Sequence, residues 1–288
     1  MKTVGLSIQP NYCGKKSMSK SGIIPAMKPT DRQNIKIALI GAGNVATHLA
    51  VNLYQAGFNI CMVVARHIES ATALASRVGA VPTANIGDID SDIDLAIIST
   101  TDTAVKDVAG TLPHIRGVVA HTSGSVPLDV LSVRHEHAAV IYPLQTFSKN
   151  SEVDMSRVPF FTEATDNESL ELADAVAGSF GDHVFHAGSD IRARLHIAGV
   201  FACNFSVYMF EMARKALAEA GLPLDTVRPL VDVTVDKAFN LGPMKAMTGP
   251  ARRGDIATVE KQMSQIGDPL EKEIYSLISQ AIYKEFNN

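Results

Sequence analysis

The sequence of 288 residues predicts an α/β fold, a doubly wound parallel sheet followed by an all-helical part. Two observations support this. Short β-rich runs alternate with helical segments from residue 35 to about residue 187, which is typical of a parallel sheet covered by helices on both faces. After Gly188 only helical segments follow, beginning with a proline-free stretch from Asp190 to Ala220. We therefore expect a sheet domain at 35–187 and a helical domain at 188–288.

Each element of the sheet domain is predicted from a short apolar run or from helical spacing of apolar residues. Gly57 ends the first helix, because glycine is a poor helix former and a frequent helix stop. Strands are predicted at 35–40, 59–65, 94–99, 117–121, 138–142, 158–162 and 183–186, and helices at 47–56, 69–78, 103–112 and 168–179.

Residues 1–34 carry a net charge of +5, and glycines and prolines interrupt them. They lack the apolar core of roughly 7–15 residues that a secretory signal has. We predict a flexible basic tail. The rest of the chain carries −9, which argues against a nucleic-acid surface, since such a surface needs a basic stripe.

Other composition features narrow the class further. Hydrophobic residues make up 46% and no apolar run reaches the roughly 18 residues that span a bilayer, so we expect no membrane segment. The three cysteines show no CxxC spacing, which favours a reducing cytoplasm. No metal site is predicted, because His135 and His137 have no matching third ligand.

The sequence GAGNVA at 41–46 follows an apolar strand and opens a helix, which is the context of a Rossmann fingerprint. Gly41 permits a tight turn, Gly43 lets the backbone approach a pyrophosphate, and Ala46 allows close packing of helix on strand. At Asn44 and Val45 the helix N-terminus offers free N–H groups to phosphates. The alternative is a glycine-rich turn without a ligand.

The end of the second predicted strand indicates which dinucleotide binds. NAD enzymes usually have an acidic residue there, roughly 20 residues after the glycines, whereas this chain has Arg66 and reaches Glu69 only later. A guanidinium binds a 2′-phosphate that a carboxylate would repel. The pattern favours NADP, and the alternative is a solvated surface arginine.

Polar residues follow three further strands at the carboxyl edge of the sheet, where ligands bind. Ser99, Thr100 and Thr101 could line the nicotinamide ribose or cap the next helix. His121 could give a proton to a substrate that Ser123 also contacts, or could be a buried histidine bonded to backbone. Gln145 could bond the carboxamide or a substrate, or belong to a plain turn.

Two polar groups stand out in the helical domain. His196 and Asn204 lie on the long helix and could address substrate and nicotinamide, or could make helix–helix hydrogen bonds. In the later turn beginning at Thr248, Arg253 could clamp a substrate carboxylate while Asp255 holds the guanidinium. A surface turn is the alternative.

Taken together, the motifs GAGNVA, HTSGS, YPLQTF, HIAGVFACNF and TGPARRGD resemble the Rossmann-like NADP oxidoreductases with a helical C-terminal domain of unknown function. These are akin to pyrroline-carboxylate reductases, ketopantoate reductases and β-hydroxyacid dehydrogenases, with a helical half like that of 6-phosphogluconate dehydrogenase. The resemblance implies a dinucleotide at Gly41, Gly43 and Arg66, and a homodimer built on the helical half.

The resemblance has one departure. β-Hydroxyacid dehydrogenases place a catalytic lysine four residues before an asparagine on the long helix, and if Asn204 is that asparagine, Val200 stands in place of the lysine. The expected function is an NADP-dependent oxidoreductase acting on a small carbonyl, hydroxyl or imine compound, including anionic ones, with His196 or His121 as proton donor and Asn204 as orienting group. An NADP-binding sensor or scaffold without turnover is the alternative.

Overall fold

The computed structural model describes residues 19–20 and 27–287. Within them nine strands form one sheet in the order β1-β9-β8-β7-β6-β5-β2-β3-β4. The strands are β1 (Ser19–Lys20), β2 (Lys36–Ile40), β3 (Asn59–Val64), β4 (Val81–Thr83), β5 (Leu95–Ile98), β6 (Val118–His121), β7 (Ala138–Pro143), β8 (Phe160–Ala164) and β9 (Val184–His186). The parallel segment β4-β3-β2-β5-β6-β7 has the strand order of a Rossmann fold, as predicted.

The helices are α1 (Pro29–Arg32), α2 (Asn44–Gln55), α3 (Ile68–Val78), α4 (Asp102–Thr111), α5 (Asp129–Ser132), α6 (Asn167–Gly178), α7 (Ser189–Gly199), α8 (Ser206–Glu219), α9 (Arg228–Leu241), α10 (Pro243–Ala246), α11 (Ile256–Ser264) and α12 (Pro269–Asn287). The helices α2, α3, α4 and α6 fall where the periodicity predicts them, with small shifts at their ends, whereas the short helices α1 and α5 were not predicted. Three short 3₁₀ turns add Ile86–Asp88, Met155–Arg157 and Leu224–Val227. A π-helical segment, Val200–Phe205, joins α7 to α8.

Apolar side chains bury the sheet on both faces. Every residue of β5, β6 and β7 is buried, which explains why these strands are continuous apolar runs rather than alternating ones. Leu49 and Leu53 of α2 pack on one face, and Val105 and Ala109 of α4 belong to the cluster on the other. The two faces define the doubly wound architecture.

The sheet is mixed at its far edge rather than parallel throughout. β8 runs antiparallel to β7, whereas β9 is again parallel to β8. The chain between β7 and β8 contains only a 3₁₀ turn, and a return without a crossover helix brings the next strand back antiparallel. β4 is a strand that the sequence analysis did not predict. It is three residues long and contains Pro82, and proline is compatible with a strand only at the edge of a sheet.

Part of the predicted tail is described, namely β1 and residues 27–34; the other residues of 1–34 lie outside the described part. β1 pairs antiparallel with β9. Arg32 donates from Nη1 to the carbonyl of Ala56 at 3.0 Å and its guanidinium lies 5.6 Å from the centre of the Phe58 ring. Residues 27–34 therefore pack against the sheet domain.

The chain forms two compact units, the first ending at Val200 and the second beginning at Phe201. This places α7 in the first unit, which ends 13 residues beyond residue 187, the predicted end of the sheet domain. The reason is Arg192, which is fully buried in the first unit although it lies on a helix. The change from strands to helices along the sequence marks a change of element type, not the limit of the packed unit.

The second unit consists of α8 to α12 and buries little of its apolar surface by itself. Among its described residues only Ala251 and Glu271 are buried, whereas 17 of the 22 exposed large hydrophobic side chains in the described part of the chain lie here. The helical stretch Ser189–Glu219 is also long and apolar enough to cross a membrane. Core helices of water-soluble proteins meet the same criterion, so this property assigns no bilayer.

Candidate functional site

Gly41 occupies a position that no other residue fits. Its φ is +123°, a conformation that side chains other than glycine rarely adopt, and a Cβ atom there would stand 2.2 Å from the carbonyl oxygen of Ser99. Its N–H donates to the carbonyl of Val64 at 2.8 Å. Gly41 therefore turns the chain sharply between β2 and α2, at the carboxyl edge of the sheet.

Gly43 is a glycine for which the protein itself gives no steric reason. Its φ is −80°, and a Cβ atom built there meets nothing within 4 Å. It is the N-cap of α2 and supplies no side-chain acceptor, so the first N–H groups of the helix remain open. Open space in front of a helix N-terminus is what a pyrophosphate requires, so the residues present fit a dinucleotide.

A cavity of about 660 Å³ lies against this turn. Its lining includes all eight residues predicted to bind the cofactor: Gly41, Gly43, Asn44, Val45, Arg66, Ser99, Thr100 and Thr101. One wall comes from residues that the sequence analysis did not single out: Ala84, Asn85, Ile86, Ala104, Val108 and Thr111. This largely apolar wall suits the face of an adenine ring. The sequence does not predict it, because its residues belong to the loop after β4, a strand that was not predicted, and to α4.

Two of the predicted cofactor residues differ in what their side chains do. Arg66 is exposed and has no ion-pair partner in the described part of the chain, so its guanidinium is available to a ligand. The Asn44 side chain instead donates to the carbonyl of Phe147 at 2.9 Å. Only its backbone N–H remains available at the helix N-terminus.

The loop after β5 lines the cavity and leads directly into α4. Ser99 is buried, and its Oγ accepts a hydrogen bond from Thr122 at 3.2 Å. Thr101 is the N-cap residue of α4, but its hydroxyl lies 3.3 Å from that of Thr103 rather than on a backbone N–H. The helix begins at Asp102, and the loop lines the cavity at the same time.

His121 is a buried structural histidine. Its side chain has no solvent exposure, and Nδ1 accepts a hydrogen bond from the Ser123 N–H at 3.1 Å. Burial, and secondarily the charge of Arg192, lower the pKa of His121 to about 4, so the ring is neutral near pH 7. The bond to the Ser123 N–H fits the alternative of a buried histidine bonded to backbone, whereas Nε2 has no hydrogen-bond partner among the described residues, so the role of His121 as proton donor stays a prediction.

Ser123 shapes the same turn. Its Oγ accepts from the N–H groups of Ser125 at 3.1 Å and of Val126 at 3.0 Å. The Ser125 hydroxyl in turn donates to Asp102 at the start of α4. Ser123 is also only 6% exposed. These bonds use the acceptor side of the Ser123 hydroxyl, and its predicted contact with a substrate stays a prediction.

Tyr142, at the end of β7, was not singled out from the sequence. It is 93% buried, since its exposed fraction is 7%, and its phenol oxygen has no hydrogen-bond partner within the described residues. Burial raises its pKa to about 12, and Asp102 adds to this. A Cβ atom on Gly124 would stand 2.5 Å from Cζ of the ring, so the ring lies directly on that glycine.

The predicted donor His196 lies beside this tyrosine, with ring centroids 6.5 Å apart. Both residues belong to the first unit, and His196 is partly exposed. Tyr142 is the first residue of the YPLQTF motif, from which the sequence predicts a role only for Gln145, because amides bond carboxamides. The end of the buried strand, one residue before Pro143, was the more informative position.

Arg192 was also missed, although it is the largest fully buried side chain. Its guanidinium bonds Glu163 at 2.5 Å and donates to the Val126 carbonyl at 3.0 Å. Burial lowers its pKa, and Glu163 opposes that effect. The arginine therefore ties α7 to β8 and to the end of the HTSGS turn.

Gln145 lies outside the cavity of about 660 Å³ at the glycine turn, which we call the cofactor cavity. It is exposed, and its Oε1 accepts from the Thr146 N–H at 2.8 Å. It lines a separate depression that includes Arg157. The alternative of plain turn structure describes Gln145 better than contact with the carboxamide, because its acceptor is used locally.

The remaining predicted residues belong to the second unit. Asn204 lies within the π-helical segment. Thr248 and Arg253 are exposed, and neither side chain has a hydrogen-bond partner in the part described. Asp255 caps α11 by accepting from the Thr258 N–H at 3.1 Å, and hydrogen bonds from the side chain and then the backbone of Thr258 lower its pKa. Its oxygen is thus bonded to the helix rather than to Arg253.

A Rossmann strand order, a glycine turn that faces open space and a cavity along the carboxyl edge define a nicotinamide-dinucleotide-binding oxidoreductase fold. Residues 36–120 match the family described as NADP oxidoreductase, coenzyme F420-dependent, and residues 158–282 match the domain of unknown function DUF2520. The chain belongs to the family of NADP oxidoreductase-like proteins that these matches and the solved relatives below represent.

The solved relatives agree with this assignment. BF3122 from Bacteroides fragilis, described as an NADP oxidoreductase, is 38% identical with a TM-score of 0.82 over 87% of this chain and 98% of that one. Protein TM1727 from Thermotoga maritima is 22% identical with a TM-score of 0.69 over 86% and 99%. A pyrroline-5-carboxylate reductase from Streptococcus pyogenes is 14% identical with a TM-score of 0.61 over 87% and 97%, which shows the shared fold alone. No protein of curated function matches the chain.

Proposed function

We propose that this protein is an NADP-dependent oxidoreductase that transfers hydride between the nicotinamide and a small carbonyl, hydroxyl or imine compound. The observation that carries the proposal is the open space at Gly43, in front of the free N–H groups of α2. The bound cofactor would supply the hydride chemistry, and the protein would supply binding, orientation and electrostatics.

The glycine turn and the end of β3 bind different parts of the dinucleotide. Gly41 sets the turn, and the N-terminus of α2 offers N–H groups and a partial positive charge to the two phosphates. Arg66 provides charge-assisted hydrogen bonds to a 2′-phosphate, which NAD lacks. Each such bond contributes about 1.5–3 kcal/mol, enough for a tenfold or larger preference.

Tyr142 and His196 are the candidates for holding the proton that accompanies hydride. Tyr142 stays protonated at neutral pH because its pKa is about 12, and its hydroxyl is not engaged by another side chain in the described residues. A protonated phenol can donate to the oxygen or nitrogen of a substrate. His196 supplies a second titratable group next to it.

We further propose that the protein is a homodimer built on the second unit and works in the cytoplasm. The exposed apolar helices favour burial against a second copy, and the free Cys61 and Cys203 suit a reducing compartment. Thr248 and Arg253, which have no side-chain partner in the part described, are proposed to bind an anionic substrate group, with Asn204 as the orienting amide.

The test of cofactor choice is a binding titration of NADP and NAD to the wild-type protein and to Arg66→Gln. We expect wild type to bind NADP at least tenfold more tightly than NAD, and Arg66→Gln to lose most of that difference while its affinity for NAD is unchanged. Arg157→Gln, an exposed arginine outside the cofactor cavity, is the control. Equal affinity of the wild type for both dinucleotides would exclude the assignment of Arg66.

The second candidate is an NADP-binding sensor or scaffold, favoured by Val200, which stands where the resemblance would place a catalytic lysine. NADPH bound to the protein is followed by its fluorescence while a panel of keto acids, aldehydes and imines is added. Oxidation with any of them supports the enzyme. Tight binding without oxidation across the panel supports the sensor.

A further inference from the structure

A second, smaller cavity adjoins the glycine turn. Its volume is about 280 Å³, and it is formed between α2, α3 and the loop after β7. Its lining residues are Ala42, Thr47, Glu69, Ser70, Ala73, Leu74, Arg77 and Lys149. Ala42 lines the cofactor cavity as well, so both cavities reach the middle residue of the glycine turn.

Two cations line this smaller cavity, and neither is in an ion pair among the described residues. Lys149 and Arg77 are both exposed, and neither forms an ion pair or a side-chain hydrogen bond in the described part of the chain. Glu69 contributes one carboxylate to the same lining, so the charge of the cavity is +1. A site with excess positive charge and room for a few atoms favours an anion such as a phosphate.

The chain holds Lys149 beside the cofactor helix rather than leaving it on a free loop. Asn44 donates to the carbonyl of Phe147 at 2.9 Å, and the ring nitrogen Nε2 of His48 lies 2.8 Å from the carbonyl of Ser148. The rings of His48 and Phe147 lie 5.0 Å apart. Both anchors come from α2, so the loop before Lys149 is fixed to the first turns of the helix that faces the dinucleotide.

The position of this cavity matches the place where the two dinucleotides differ. In a Rossmann fold the adenosine ribose lies at the end of the second parallel strand, which here is β3 followed by Arg66. Ser70, four residues further on in the first turn of α3, lines the small cavity together with Ala42. A 2′-phosphate near Arg66 and Ala42 would therefore be at the mouth of the cavity that holds Lys149.

We propose that Lys149 is a second cationic contact for the 2′-phosphate of NADP, in addition to Arg66, and that Asn44 and His48 act as its positioning residues. The inference rests on the proposed NADP function. It assigns the YPLQTF loop to cofactor selection, and it explains why the side chain of Asn44 bonds this loop instead of a phosphate.

The test compares Lys149→Gln with wild type by calorimetric titration of NADP, NAD, adenosine 2′,5′-bisphosphate and 5′-AMP. We expect Lys149→Gln to bind NADP and the bisphosphate about tenfold more weakly, because one charge-assisted hydrogen bond is lost. The affinities for NAD and 5′-AMP should not change. Lys106→Gln removes an exposed lysine from α4, where it is not among the residues lining the cofactor cavity, and should bind all four ligands like wild type.

The possible results separate the two proposals. An equal loss for NADP and NAD would place Lys149 at the pyrophosphate and overturn the 2′-phosphate assignment. An unchanged NADP affinity would overturn it too. A wild-type protein that binds neither dinucleotide would overturn the proposed function and this inference with it, whereas normal NADP binding by Lys149→Gln would overturn this inference alone.

Discussion

Gly41 and Gly43 stand two residues apart and are glycines for different reasons. The backbone of the protein requires Gly41, since its positive φ and the carbonyl of Ser99 leave no room for a Cβ atom. The protein alone does not require Gly43. The first is a folding constraint and the second a binding constraint, and alanine at each position separates them.

We expect Gly41→Ala to lower the free energy of unfolding by about 3 kcal/mol or more, because it adds backbone strain and a clash with a main-chain oxygen. Gly43→Ala should change stability by about 1 kcal/mol at most, the size of an N-cap effect, but weaken NADP binding more than about tenfold. Urea unfolding and ligand titration measure the two quantities. Normal NADP binding by Gly43→Ala would contradict the position of the pyrophosphate.

His121 makes stability depend on pH in a defined direction. Its pKa is lowered to about 4 in the folded protein, while an unfolded histidine has an ordinary pKa near 6.5. Between these values the unfolded chain binds more protons than the folded one, so stability rises with pH. The contribution is complete above about pH 6.5 and is lost as the pH falls to about 4.

We expect the free energy of unfolding to fall by up to about 3 kcal/mol over this interval because of His121 alone. In His121→Gln the free energy of unfolding should change less steeply with pH. The other histidines contribute equally to both proteins, so the difference between the two slopes reports His121 alone. His137 has the opposite effect. The bond to Asp166 raises the pKa of His137, so the stability that this pair contributes is lost as the pH rises. Parallel slopes for wild type and His121→Gln would contradict the buried neutral ring.

At the scale of elements, the parallel strands and the helices α2, α3, α4 and α6 are predicted from the sequence, because each has a strong apolar pattern. The short elements are not. β4 has three residues, and its pairing with β3 depends on tertiary contacts rather than on periodicity. The antiparallel β8 is located correctly, but its direction depends on the absence of a crossover helix, which the residue pattern does not reveal.

The candidate site also contains residues that the sequence predicts and residues that it does not. Cofactor residues are predictable because the glycine turn and the strand ends are local signals. The roles predicted for His121, Gln145 and Asp255 stay predictions, and each of these side chains accepts a hydrogen bond from a backbone N–H close in sequence, that of Ser123, Thr146 or Thr258. The sequence does not single out Tyr142 and Arg192, because what distinguishes them is that their polar side chains are buried in the folded protein.

Arg192 sets the position of a whole helix, and its removal tests this. Arg192→Met should destabilise the protein by about 3 kcal/mol, because it leaves the carboxylate of Glu163 without its partner in a mostly buried place. The double variant with Glu163→Gln should recover part of the loss, since no charge then remains unpaired. Urea unfolding measures both. A loss below about 1 kcal/mol for Arg192→Met would contradict the role of Arg192 in fastening α7.

At the scale of the whole molecule, the second unit exposes more large apolar side chains than a monomer of this size usually tolerates. Phe239 is 86% exposed, and it stands on α9 in a unit where no large hydrophobic side chain is buried. A second copy of the chain that covers these helices would supply the missing core. The unit is therefore expected to be stable only as part of a dimer.

We expect light scattering after size exclusion to give twice the mass of one chain at micromolar concentration. Phe239→Asp should shift the protein towards monomer and make its melting temperature depend on concentration. Val133→Asp is the matched control, because Val133 is 83% exposed but lies in the first unit. A monomeric wild type, or an equal effect of both substitutions, would exclude the dimer on the second unit.

The π-helical segment Val200–Phe205 has a consequence for how relatives are aligned. A π turn closes its hydrogen bond over one residue more than an α turn does, so position around the helix axis no longer follows from a count of residues. An alignment of this helix with a purely α-helical relative needs a one-residue gap inside the segment. The match of Val200 with a lysine position depends on where that gap is placed, and deleting one residue from the segment would show whether an uninterrupted α-helix is tolerated.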